Sequence, residues 1–217
     1  MNRLLILTAV VFWASLHTAP GAVTVTGHVT LPAPKPGRAA SARYQLTTTQ
    51  PSGKESTGPV AVVYLEGVFE NVEAPATSIE MGQKNLQFSP RLLVVQKGAE
   101  ITFPNMDDEY HNVLSYSKAK ALDLGRYLKT DKAPLVSFDK TGVVELSCEI
   151  HEHMQATILV LDTPYFTFTD AEGAFRMEGL PAGSYTLKAW LNRRTVLEQP
   201  ITLKDGETQD ITLGDKK

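Results

Sequence analysis

Short apolar and β-branched runs, each ended within a few residues by Gly, Pro, Asp or Asn, restrict this chain more than any other feature. Leu92-Leu-Val-Val-Gln96 passes through Lys97-Gly98 to Glu100-Ile-Thr-Phe103, and Val143–Cys148 follows a turn at Lys140-Thr-Gly142. Thr157-Ile-Leu-Val-Leu161 then repeats the pattern. Runs this short and this closely spaced predict strands of an antiparallel sandwich or barrel. The same style starts with the alternating Val23–Leu31 and returns from Pro164 to Leu213. There Asp170-Ala-Glu-Gly173, Leu180-Pro-Ala-Gly183 and Asp205-Gly206 are turn signals. Val60–Glu66 is too uniformly apolar for one solvated face and predicts a buried strand. Pro32–Pro59, rich in Pro, Ser, Thr and Gly, reads as a long loop. Ser117–Lys129 is the one stretch with room for a helical turn, and Gly125 argues against a long one. The expected fold class is all-β.

Compartment decides how the single cysteine is read. Arg3 precedes a mostly apolar run, Leu4–Leu16, and small residues follow around Gly21 and Ala22. The run is far short of the about 20 residues that span a bilayer, and fits the apolar core of a secretory signal. We expect residues 1–22 to be a signal peptide and the mature protein to be periplasmic, with no membrane insertion after cleavage. One Cys excludes a disulfide within the chain and any Cys-x-x-Cys motif. In an oxidising compartment a free thiol invites mispairing, so Cys148 is expected to be buried, paired between chains or bound to metal. A hydrophobic content of 42% suffices for a packed core. A net charge of -3 lacks the basic footprint of a nucleic-acid partner.

The neighbours of Cys148 carry the chemistry. Cys148-Glu-Ile-His151-Glu-His153-Met154 lies on a loop between two apolar strands, and Asn105-Met-Asp-Asp-Glu-Tyr-His111-Asn112-Val113 follows the Glu100–Phe103 strand. One thiolate, two imidazoles and a thioether form the donor set of a type 1 copper site, with Cys and two His trigonal and Met weak and axial. Thiolate and imidazole hold Cu(II), whereas thiolate and thioether suit Cu(I). A stiff β scaffold lets both oxidation states share one geometry. His111, Cys148, His151 and Met154 are therefore the candidate metal ligands. Alternatives stay open at this level: His153 replacing His151 in the set, or adding a donor in a mononuclear zinc site with Cys148 and a carboxylate, and a Cys148 nucleophile with a His base. The nucleophile reading leaves Met154 and the Asn105–His111 segment unexplained. The acidic run Asp107-Asp-Glu109 reads as a solvated loop able to bias docking toward a basic redox partner. Trp190 reads as core.

Asn105-x-Asp107-x-x-x-His111-Asn112-Val113 with Cys148-x-x-His151-x-x-Met154 resembles the cupredoxins, with the ligand-loop spacing of the amicyanin type. Gln83, Phe88-Ser-Pro90 and Gly98 fall where a plastocyanin-like domain begins. The likeness extends to bacterial periplasmic proteins of the methylamine-utilisation type. It implies a Greek-key β-sandwich over residues 77–162 with one mononuclear copper. It also implies single-electron transfer between transient redox protein partners, with no enzyme activity of its own. His151 would be the ligand nearest the surface, and the backbone N–H of Asn112 would steady the Cys148 sulfur. Copper delivery or storage, or a non-redox binding module, is the alternative function. Two positions depart from the family pattern: Leu146 stands where an aromatic is usual and Glu152 where a proline is usual. Tyr165–Gly183 resembles a second module, the carboxypeptidase regulatory-like, transthyretin-type β-sandwich, expected over residues 163–217. Strands resembling the start of that module lie in residues 23–76, which implies a discontinuous sandwich with the copper domain inserted; the rival arrangement is three consecutive pieces, with Val60–Leu65 serving as a cupredoxin strand. Insertion requires contact between Val60–Leu65 and Tyr185–Trp190.

Overall fold

The computed structural model describes residues 22–32, 48–49, 55–56, 60–69, 79–192 and 195–214. Nearly all of the expected signal segment and most of the 32–59 loop lie outside the described residues. Every regular element among those described is a strand. The chain opens with β1 (Val23–Val29), β2 (Thr48–Thr49), β3 (Glu55–Ser56) and β4 (Val62–Glu66). It continues through β5 (Ile79–Glu80), β6 (Gly82–Gln83), β7 (Phe88–Ser89), β8 (Leu92–Gln96), β9 (Ala99–Thr102) and β10 (His111–Tyr116). Then come β11 (Ala121–Tyr127), β12 (Leu135–Phe138), β13 (Gly142–Ser147) and β14 (Gln155–Leu161). The last strands are β15 (Phe166–Phe168), β16 (Ala174–Leu180), β17 (Gly183–Asn192), β18 (Thr195–Leu203) and β19 (Thr208–Leu213).

Two sandwiches result. In the first, a seven-stranded sheet ordered β11-β10-β13-β14-β8-β2-β3 faces a three-stranded sheet β12-β9-β5. Between them lies a core that includes Met81, Phe88, Phe103, Phe138, Leu146 and Ile158. The second sandwich packs β15-β4-β17-β18 against β16-β1-β19, over Val25, Leu65, Phe175, Leu187 and Ile211 among others. Strands on both sides of residues 77–162 in sequence share these last two sheets. β1 pairs with β16 and β19, and β4 pairs with β15 and β17. The β4–β17 register sets Leu65 opposite Leu187 and Val62 opposite Trp190.

A third apolar cluster joins the two bodies. Val60, Val62, Phe168 and Trp190 of the second sandwich meet Leu92, Val94, Leu159 and Leu161 of the first. Successive strand residues point to opposite faces. Ile158 and Val160 of β14 therefore enter the first core while Leu159 and Leu161 enter the junction. β4 divides in the same way, with Val63 and Leu65 on one side and Val62 on the other. The uniform apolarity of these strands is thus two-sided burial. Trp190 is 9% exposed and fills the junction, as its reading as core required.

The structure corrects two sequence expectations. Residues 121–127, within the stretch given room for a helical turn, form edge strand β11, paired with β10. Leu122 and Leu124 alternate toward the first core, so a period of two overrides the weak helical propensity. The 32–59 loop contains β2 and β3, which pair with each other and continue the seven-stranded sheet beyond β8.

Gly27 shows how closely β1 and β19 lie. A Cβ there would fall 1.8 Å from the Ile211 carbonyl oxygen and 2.9 Å from the Phe175 ring. Gly27→Ala is expected to cost more than about 3 kcal/mol, because rigid backbone must move. Gly206→Ala, at a turn with φ of 69° and open space around the added carbon, is expected to cost only about 1–2 kcal/mol. Urea unfolding of the two variants checks the difference; equal midpoints would show that β1 and β19 are not tightly apposed.

Candidate metal centre

The hairpin β13–β14 delivers the cysteine loop. Its antiparallel register runs from Gly142↔Val160 to Ser147↔Gln155. Cys148 and Met154 are the next positions on either side, and the Cys148 N–H donates to the Met154 carbonyl at 3.2 Å. The Met154 N–H donates to the His151 carbonyl at 2.9 Å, turning the loop back on itself. Asn112 ties this loop to β10, because its Oδ1 accepts the Glu149 N–H at 2.8 Å.

His111 arrives as the first residue of β10, opposite Tyr127 of β11. The register slips between Asn112↔Arg126 and Leu114↔Asp123, leaving one extra residue on β11. Gly125 sits there with φ of 67°, a conformation glycine adopts at little cost. A bulge of this kind sharpens the local twist and re-aims neighbouring side chains. Here it adjoins the pair that carries His111.

His111, Cys148 and His151 converge on one point, their ligand atoms all within 4.8 Å of one another. His111 Nδ1 lies 3.1 Å from His151 Nδ1, and Cys148 Sγ lies 3.9 Å from His151 Nδ1. Adjacent ligands of one ion are separated by such distances when metal–nitrogen and metal–sulfur bonds are about 2.0–2.3 Å. Cys148 is 3% exposed and Met154 is fully buried. The His111 side chain is 0% exposed and that of His151 is 17%, so His151 is the imidazole that reaches the surface. The donor set is the soft and borderline one that copper takes. His153 is exposed and stands outside the group, its ring 6.2 Å from that of His151.

Asp107 is the site residue that sequence reasoning missed. The acidic run predicts a solvated carboxylate here, yet Asp107 Oδ2 lies 2.9 Å from His111 Nε2. A carboxylate only accepts, so the ring donates from Nε2 and Nδ1 is left for a ligand. The Asn85 N–H donates to Asp107 Oδ1 at 2.7 Å and the Leu86 N–H to Oδ2 at 2.9 Å. Burial pushes the Asp107 carboxyl up, but the Leu86, His111 and Asn85 hydrogen bonds and the histidine charge outweigh it and hold its pKa below the usual carboxylate range. The signal in the sequence was the spacing of Asp107 four residues before His111.

Buried polar side chains brace the layer beneath. Asn105 Nδ2 donates to the carbonyls of Glu109 and Tyr127 at 2.8 and 2.9 Å, and its Oδ1 accepts the Asp107 N–H. Gln83 Nε2 donates to the Tyr127 hydroxyl at 2.5 Å, and that hydroxyl donates to the Phe103 carbonyl at 2.9 Å. Burial pushes the Tyr127 phenol well above its ordinary pKa; the hydrogen bond from Gln83 opposes this, and the charge of Cys148 adds to it.

No family model matches this chain, and no curated protein matches it. Part of it is similar to solved structures. One is an oxidized amicyanin with a methionine-to-lysine substitution, 21% identical, covering 39% of this chain and 82% of that one at a TM-score of 0.36. Another is a reduced amicyanin with a tryptophan-to-tyrosine substitution, 20% identical, covering 46% and 98% at 0.37. A third is a purple cupredoxin from Nitrosopumilus maritimus, 21% identical, covering 39% and 100% at 0.33. What the group can bind is decided by its own donors.

Asn112→Ala removes the acceptor of the Glu149 N–H. Metal affinity is expected to fall about 10-fold or more, the usual effect of losing a partner outside the ligand set. Competition with a chelator measures it; unchanged affinity would show that the Asn112 bond does not hold the loop.

Proposed function

We propose that this chain is a cupredoxin that binds one copper ion and carries single electrons between protein partners. The observation that carries the proposal is the convergence of His111 Nδ1, Cys148 Sγ and His151 Nδ1 on one point. Met154 is the fourth, weak donor. Its full burial at the base of the loop supports that role. Bound copper would supply one-electron chemistry between Cu(II) and Cu(I).

The protein's own part is to keep the donors still. Asp107 holds the His111 ring, Asn112 holds the start of the cysteine loop, and the Cys148–Met154 backbone bond closes its base. Donors pinned in this way change position little on gain or loss of an electron. His151, the partly exposed imidazole, is the route to a docked partner. A thioether beside a thiolate and two imidazoles is the donor set of a type 1 copper site, and the Asp107 carboxylate is already committed to His111 and two backbone N–H groups.

The same reading places the mature protein in the periplasm, with transient redox proteins as partners. It assigns residues 77–162 to the copper domain and the flanking strands to a carboxypeptidase regulatory-like sandwich. The pairing of β4 with β17 and of β1 with β16 supports that division.

Adding Cu(II) to the mature protein is expected to produce an intense thiolate-to-copper visible band and the matching EPR signal. Cys148→Ser is expected to abolish both, whereas Met154→Gln keeps the colour and shifts the reduction potential. A wild-type protein without the band would refute the type 1 assignment. Loss of a reversible Cu(II)/Cu(I) wave in a coloured protein would refute electron carriage.

A further inference from the structure

The turn between β6 and β7 has a backbone that one of its residues resists. Lys84 and Gln87 close it with reciprocal hydrogen bonds, Lys84 N–H to the Gln87 carbonyl at 2.8 Å and Gln87 N–H to the Lys84 carbonyl at 3.2 Å. Both residues between them are left-handed, Asn85 at φ 55° and Leu86 at φ 56°. Asn-Gly is the ordinary sequence for such a two-residue hairpin turn. Asn tolerates that region; a leucine does not, because its Cβ crowds the backbone. Strain of this kind persists only where the surroundings over-determine it.

The surroundings act on Leu86 from two sides. Its half-buried side chain packs against the core of the first sandwich. Its N–H donates to Asp107 Oδ2, and the Asn85 N–H donates to Oδ1. The oxygen that receives the Leu86 N–H also receives His111 Nε2–H. The same segments are joined by backbone bonds from the Gln83 N–H to the Pro104 carbonyl at 2.9 Å and from the Met106 N–H to the Gln83 carbonyl at 2.8 Å. Asp107 lies on a loop whose neighbours Met106 and Asp108 face solvent; its backbone N–H is held by Asn105 Oδ1, and its carboxylate accepts from Asn85, Leu86 and His111.

We propose that the Asn85-Leu86 turn is a positioning element of the metal centre. Its two left-handed residues grip the Asp107 carboxylate, and through it hold the His111 ring with Nδ1 turned toward His151. Glycine would make the turn without strain but would lose the anchor in the core. Leucine supplies both the anchor and the N–H donor. Leu86 is a positioning residue, acting on His111 only through Asp107. The inference rests on His111 being a metal ligand, as proposed above.

The test uses Leu86→Gly, which keeps the N–H and relieves the backbone but removes the anchor. In the metal-free protein, NMR follows solvent exchange of the His111 Nε2–H. Exchange is expected to quicken by about tenfold as the local structure opens more often. Cu(II) affinity, measured against a chelator, is expected to weaken by about tenfold. Combined with Asp107→Ala, Leu86→Gly is expected to weaken Cu(II) binding no further, because the two residues act in series. Leu122→Ala, which removes another side chain packed on the same core, is the control and is expected to leave His111 exchange unchanged. If Leu86→Gly does not fold, Leu86→Ala is read in its place, with the same direction expected. Wild-type exchange and affinity in these variants, or simple addition with Asp107→Ala, would overturn the proposal. A wild-type protein that takes up no copper would instead overturn the copper reading, while the metal-free exchange still decides the role of the turn.

Discussion

The antiparallel pairing of β13 with β14 is the constraint on which the metal centre depends. Its register ends at Ser147↔Gln155, so Cys148 and Met154 must stand together at the mouth of the loop. A slip of one residue would turn every side chain of a strand to the other face. Such a slip is resisted here on both sides of β14, where Ile158 and Val160 fill one core and Leu159 and Leu161 fill the junction. Burial worth about 1.5–3 kcal/mol for each large apolar side chain thus fixes the place of a thiolate beyond the strand's end.

Satisfaction of buried polar groups fixes the other half of the site. His111 is buried with two polar ring nitrogens, and an unpaired one would carry a desolvation penalty. Asp107 takes Nε2, and is itself held by two backbone N–H groups. Asn105 and the Gln83–Tyr127 pair then satisfy the carbonyls of the loop and strand below. Asp107, tied in turn to Asn105 and to the 85–86 backbone, thus orients the His111 imidazole through Nε2.

Much of this was legible in the sequence, and the gaps have physical causes. The strands around Leu92–Gln96, Val143–Cys148 and Thr157–Leu161 were readable because turn residues bound them closely. The spacing of Cys148, His151 and Met154 pointed to a shared loop because a hairpin brings such positions together. The spacing of Asp107 four residues before His111 is a weak local sign of their contact, but nothing local reveals that Asn85 and Leu86, about twenty residues upstream, direct their N–H groups at it. β11 was obscured by Gly125, which looks like a simple helix breaker and is the extra residue of a bulge.

The sequence by itself determined the all-β class, the two-sided burial of its most apolar strands and the donor types gathered near Cys148. Those are local properties, set by side-chain period and by chemistry at fixed spacing. Tertiary structure alone decided that the two sandwiches meet through Trp190 and Leu159, and that Asp107 serves His111. The first of these joins residues far apart in the chain. Which strand edge or carboxylate meets which partner is set by the simultaneous packing of all the layers, and no single segment carries that information.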